Sequence, residues 1–201
     1  MKSQMKYGLI GLFIGGVAVW LYMSANLNSN TQNAARNSDR IDAHFIEQMI
    51  PHHEDAITMA KVAQTKAQRP EVKQLAQNII NSQGKEINQM NSWYKNWFGR
   101  VLPTGSEVMN QHGMMGNSSG LHMGVSGDAS DMTKLEQAAD FDTAFVEHMI
   151  SHHQMAVMMA SMLKDGTERS EMKQLADEIV SAQTNEIDQM RSWLKEWGEQ
   201  K

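Results

Sequence analysis

Sliding this 201-residue chain 100 positions along itself superimposes two stretches without a gap, and that duplication constrains the fold more than any other feature. Asp42, Phe45, Glu47, Met49, Ile50, His52, His53, Ala56, Met59 and Ala60 meet identical residues at Asp142, Phe145, Glu147, Met149, Ile150, His152, His153, Ala156, Met159 and Ala160. The match resumes at Glu71, Lys73, Gln74, Leu75, Ala76 and Ile79, and again at Gln83, Glu86, Ile87, Met90, Trp93 and Trp97, each identical 100 positions on. Two copies of one unit carry two copies of one apolar stripe, and each stripe can be buried against the other.

Each unit reads as two helices. Phe45, Met49, His52, Ala56 and Met59 are spaced by three or four, as are Val72, Leu75, Ile79, Gln83, Ile87, Met90, Tyr94 and Trp97, the period of an amphipathic helix. Pro70 suits a first helical turn, and Gly166-Thr167 reads as a helix-ending glycine followed by a capping hydroxyl, with Ser170 a further cap. Pro51 falls inside the first helix, where it costs about 3 kcal/mol and favours a kink; Ser151 replaces it in the second copy. The expectation is an all-α chain: a four-helix bundle, ferritin-like in layout, made of two duplicated hairpins. The segments are an N-terminal stretch at 1–38, the first hairpin at 39–98, a linker at 99–133 and the second hairpin at 134–201.

The N-terminal stretch opens with Lys2 and Lys6 and continues as an unbroken apolar run from Tyr7 to Met23. It reads as an export signal or a retained membrane anchor, with the positive flank inside and the rest on the far, periplasmic side. Leu27 to Arg36 then reads as a polar tether. The net charge of −5 and the scattered Lys and Arg provide no basic face for nucleic acid.

There is no cysteine, against 18 methionines and 8 histidines, so thiolate sites and disulfides are both excluded and the thioether is the only sulfur ligand. Residues three and four apart on a helix are neighbours, which sets Met49 beside His52 and His53, and Met149 beside His152 and His153. The second copy adds His148, Met155 and Met158, where the first has Gln48 at position 48 and Thr58 at position 58; His44 is a further candidate in the first. The linker carries Met109-x-x-His112, then Met114, Met115, His122 and Met123. Thioether and neutral imidazole select Cu(I) and Ag(I), with Cu(II) accessible to the nitrogen-richer cluster, whereas Mg, Ca and Mn require oxygen. Met59, Met90, Met159 and Met190 read instead as core filling. Gln83, Glu86, Gln183 and Glu186 fall opposite the histidine pairs when the hairpins close near 68 and 168, where they could orient the imidazoles.

The stretches M-I-P-H-H-E-D-A-I-T-M-A and M-I-S-H-H-Q-M-A-V-M-M-A resemble the signature of a ferritin-like bacterial family catalogued as a domain of unknown function. The resemblance spans about Asp39 to Trp197. It implies an exported helical bundle that binds copper through Met49, His52, His53, Met149, His152 and His153.

Three functions fit this sequence. An extracytoplasmic protein that sequesters or relays copper, with a copper exporter or another periplasmic copper protein as partner, accounts for the clusters, the missing thiols and the apolar N-terminus, and involves no catalysis. A di-iron oxidase would need Glu-x-x-His on inward faces, and no histidine here has a glutamate three positions before it. A metal-free interaction module is the third. The linker separates these readings further: its ligands sit among six glycines from Gly105 to Gly127, and ordering such backbone costs about 1 to 2 kcal/mol per residue. Replacing His112, Met114, Met115, His122 and Met123 should therefore lower total Cu(I) capacity in a competition titration while sparing the tightest binding events.

Overall fold

The fold is taken from a computed structural model that describes the backbone at 4–102 and 129–199, and side chains at 35–102 and 132–199. Five helices are present among the described residues: α1 Gln4–Lys66, α2 Pro70–Phe98, α3 Ala129–Glu136, α4 Phe141–Gly166 and α5 Ser170–Glu199. The chain divides into two compact units, Met1–Arg40 and Ile41–Lys201. In the second unit, α1 with α2 and α4 with α5 are two hairpins that pack into an all-α four-helix bundle.

Helix boundaries follow local chemistry. Pro70 opens α2, where a missing N–H is harmless, and α2 stops at Gly99, whose φ of 67° lies in the left-handed region and whose N–H bonds the Lys95 carbonyl. Asp140 caps α4 by accepting the Thr143 N–H at 3.1 Å and the Thr143 hydroxyl at 2.9 Å. As expected, α4 ends at Gly166 with Thr167 as the cap residue, and the Thr167 hydroxyl accepts the Arg169 N–H at 3.1 Å. A Cβ at Gly166 would lie 3.1 Å from Ile41 Cδ1, so this glycine serves close packing. The tether expected at Leu27–Arg36 is helical, since α1 runs through it without a break; the stretch holds neither Gly nor Pro, so nothing in it stops a helix. α1 also continues through Pro51. The linker gives way to α3 at Ala129, ahead of the expected 133.

The core has two apolar clusters that are images of each other under the 100-residue shift. One joins Ala56, Ala60, Val72, Leu75 and Ile79, from the closed end of the first hairpin, to Phe145, Val146, Met149 and Met190 from the open end of the second. The other joins Ala156, Ala160, Met172, Leu175 and Ile179 to Phe45, Ile46, Met49 and Met90. Each hairpin thus tucks its turn under the other's open end, and the two run oppositely. Met59, Met90 and Met190 are buried, and Met159 packs against the second cluster, all as core filling.

The ends are locked by polar contacts with the same symmetry. The Asp142 carboxylate accepts the backbone N–H groups of Gln68 and Arg69 and a bond from the Arg69 guanidinium at 3.2 Å, so one hairpin ties off the turn of the other. At the opposite end Arg169 Nε lies 3.1 Å from Asp42 Oδ2. Arg69 stacks over Trp197 at 4.0 Å and Arg169 over Trp97 at 4.3 Å, each aromatic held against its own neighbour, Trp193 or Trp93. The copies diverge at Tyr94, whose hydroxyl donates to Glu47; burial, then the Glu47 hydrogen bond and charge, push its pKa up to about 12. Leu194 stands there in the second copy.

Removing a buried acceptor leaves two backbone donors and a guanidinium without their partner. Asp142→Ala should cost about 3 kcal/mol or more of unfolding free energy in urea denaturation. Asp177→Ala, which breaks only the exposed pair with Lys164, should cost under about 1 kcal/mol.

Candidate metal centre

Midway along the bundle, between the two apolar clusters, the doubled histidines meet. The rings of His52 and His152 lie 3.7 Å apart between centroids at an interplanar angle of 39°. Each has its neighbour at the same separation: 6.3 Å and 57° for His52 with His53, 6.3 Å and 59° for His152 with His153. The repeat geometry is therefore preserved down to ring tilt, and four imidazoles from two helices occupy one layer.

His53 and His153 are fully buried, His52 is 3% exposed and His152 is half-buried. His53 Nε2 is 2.6 Å from Glu86 Oε2 and His153 Nε2 is 2.7 Å from Glu186 Oε2. A carboxylate oxygen accepts, so the Nε2 atoms carry the protons in these contacts. These glutamates stand where the sequence set them to orient imidazoles. The Nδ1 atoms of His52, His53, His152 and His153 are all buried without a hydrogen-bond partner, as are the Oε1 atoms of Gln83 and Gln183. Buried nitrogens are ordinarily satisfied, so four orphaned imidazole nitrogens in one layer form a donor set awaiting an acceptor. They fit a cation that takes nitrogen. Among the described residues no group of three His, Asp or Glu side chains converges to hold one ion.

Met49 and Met149 are wholly buried one turn from these histidines, each at the inner edge of its cluster. His148 is half-buried and close enough to His152 to act on its charge. Met155 is half-buried, and Met158, 38% exposed, lies on the outward face of α4. His44 is exposed and stands apart from the layer, because its position on α1 is occupied inwardly by Phe45 and Ile46. His112, Met114, Met115, His122 and Met123 lie outside the described residues. Sequence reasoning passed over the Asp–Arg–Trp locks at the two ends, although Arg69 and Arg169 match under the same 100-residue shift that revealed the rest.

Burial governs the protonation of this layer. Desolvation, followed by the charges of His53 and His153, lowers the pKa of His52 from 6.5 to about 3. Desolvation, then the surrounding histidines His52, His153, His53 and His148, lower that of His152 to about 2. Both are neutral in the fold and protonate in the unfolded chain below pH 6.5, so their stabilising effect is complete above 6.5 and declines as pH falls towards 3. The slope reaches about 1.4 kcal/mol per pH unit for each group. The melting temperature should drop between pH 7 and pH 5, ahead of carboxylate titration, and His52→Gln should flatten that part of the profile.

Comparison with known proteins places this arrangement. Residues 42–200 match DUF305, a domain of unknown function. The chain is 47% identical to CopM in its Cu(II)-bound form, over 78% of this chain and 97% of that one, with a TM-score of 0.66. For CopM in its Cu(I)-bound form the identity is 44% over 78% and 96%, with a TM-score of 0.63. A DUF305 protein from Streptomyces coelicolor, proposed to be secreted, is 26% identical over 79% of this chain and 94% of that one, with a TM-score of 0.63. The uncharacterized protein L153 of Acanthamoeba polyphaga mimivirus is 51% identical over 51 residues, 25% of this chain, which spans about a third (34%) of that relative. With the match covering nearly the whole bundle and both histidine pairs, the chain belongs to the DUF305 family.

Proposed function

We propose that this protein binds copper outside the cytoplasm, as Cu(I) by preference, through the histidine layer and its flanking methionines, and buffers or relays it without catalysing a reaction. The observation that carries the reading is the set of four buried Nδ1 atoms without partners. His52 and His152 stay neutral far below their ordinary pKa, and only neutral imidazole ligates metal. Since imidazole and carboxylate do not close a site by themselves, Met49 and Met149 are the candidates to complete it, and the resulting nitrogen and thioether donors are those that Cu(I) favours. Similarity to CopM, which has been solved with Cu(I), with Cu(II) and with Ag, supports the same choice.

The remaining candidates take graded roles in this reading. His148 and Met155 extend the second copy's cluster and add nitrogen suited to Cu(II), while Met158, on the outer face, offers a thioether to arriving copper or to a copper exporter or other periplasmic partner. Location rests on the run Tyr7–Met23, which lies outside the residues with described side chains; among the described residues no helix is long and apolar enough to cross a membrane. Glu86 and Glu186 fix the rings of His53 and His153 and raise their basicity as ligands.

Competition titration with a Cu(I) chelator tests this reading. His52→Gln combined with His152→Gln should abolish the tightest binding while the helical circular dichroism is retained. Glu86→Gln should weaken it by roughly 10- to 100-fold. Unchanged affinity in the paired histidine variant would place the copper elsewhere.

A further inference from the structure

The contact between hairpins obeys the 100-residue shift so closely that each hairpin also complements itself. In the bundle, the closed end of the first hairpin packs on the open end of the second, and the reverse. The open ends are alike: Phe45 and Phe145, Met49 and Met149, Met90 and Met190. The closed ends share Leu75 with Leu175 and Ile79 with Ile179. The polar locks pair like residues too, since Asp42 meets Arg169 as Asp142 meets Arg69, and each arginine covers the same tryptophan position. At the centre a histidine meets its own counterpart.

We propose that this face also accepts a second copy of the chain, like against like, the first hairpin pairing with the first and the second with the second. The exchange places Asp42 against the other copy's Arg69, and His52 against the other copy's His52, so a second molecule contributes to each histidine layer. Isologous pairing of this kind requires a surface that carries both partners of every contact, and duplication has put both on each hairpin. Across two chains the same side chains fill the two bundles, so total core volume is conserved. Unlike buried positions include Ile46 with Val146, Tyr94 with Leu194, Ala63 with Leu163, Ala67 with Thr167 and Val72 with Met172. The first like pair thus gathers the smaller closed-end residues with the larger Ile46 and Tyr94, and the second gathers the larger ones with Val146 and Leu194. That redistribution offsets part of the strain, and hydrophobic exchanges that hold volume are the best tolerated. The contacts of α3, through Leu135 and the exposed Lys66–Glu136 pair, are not reproduced. The sequence between Phe98 and Ala129, at up to about 3.5 Å per residue, is long enough to reach a second bundle.

The chain has no cysteine, so a single introduced thiol reports the pairing. At 3% exposure, position 52 cannot meet its equivalent in another intact bundle. Full-length His52→Cys would be unfolded in urea, refolded over a range of concentrations with detergent present, and oxidised with diamide, and His152→Cys treated identically. The expected result is a disulfide-linked dimer whose fraction rises with refolding concentration for both variants. Thiols that remain free at every concentration in refolded helical protein overturn the proposal. A dimer that forms with neither variant cross-linked means that unlike hairpins have exchanged, and it overturns the like-with-like pairing. Native mass spectrometry of the unsubstituted chain, refolded in the same way, guards against a variant that fails to fold. It should show a species of twice 22.6 kDa at high concentration, and monomer alone throughout overturns the proposal.

Discussion

Two imidazoles stacked at the midpoint of a hydrophobic bundle are the contact on which the remaining structure turns. His52 and His152 lie 3.7 Å apart, and burying polar rings there is costly unless their nitrogens find partners. The helices cannot avoid that cost by rotating, because the stripe that carries the histidines also carries Phe45, Met49, Ala56 and their duplicates, which supply the core. The Asp–Arg–Trp locks at both ends hold the axial register and keep the histidines level. Stability and ligand placement therefore rest on the same residues, and an unsatisfied layer is the stability given up for a site.

The chemistry of the layer follows from its dryness. Desolvation keeps the central imidazoles of His52 and His152 neutral. Glu86 and Glu186 take the Nε2 atoms of His53 and His153, which leaves their Nδ1 atoms buried without a partner. Met49 and Met149, buried one turn away, add thioethers to this layer, and the chain holds no thiol.

Much of this was legible in the chain. A gapless repeat with helical spacing dictated two like hairpins and a bundle, and Met-x-x-His-His written twice located the layer, with Glu86 and Glu186 as its supports. What was missed is instructive. Gly166 ends α4 as its residue type suggests, but the need for its hydrogen side chain comes from Ile41, a contact 125 residues away in sequence that local reasoning does not reach. Leu27–Arg36 looked like a tether on polarity, but polarity does not break a helix in the absence of Gly or Pro. His44 is exposed on α1 beside the buried Phe45 and Ile46, a placement that residue type alone does not reveal. The Asp–Arg locks join the end of one unit to the turn of the other, so they emerge only when the hairpins are set antiparallel.

The central claim is that the mid-bundle histidines and their methionine neighbours hold the first copper ion. X-ray absorption at the copper edge, on protein loaded with one equivalent of Cu(I), examines that ion directly. The account predicts mixed imidazole and thioether scattering, with the imidazole contribution reduced when His52 and His152 are both replaced by Gln. A spectrum of nitrogen or oxygen alone, or one unaltered by that double replacement, would contradict it.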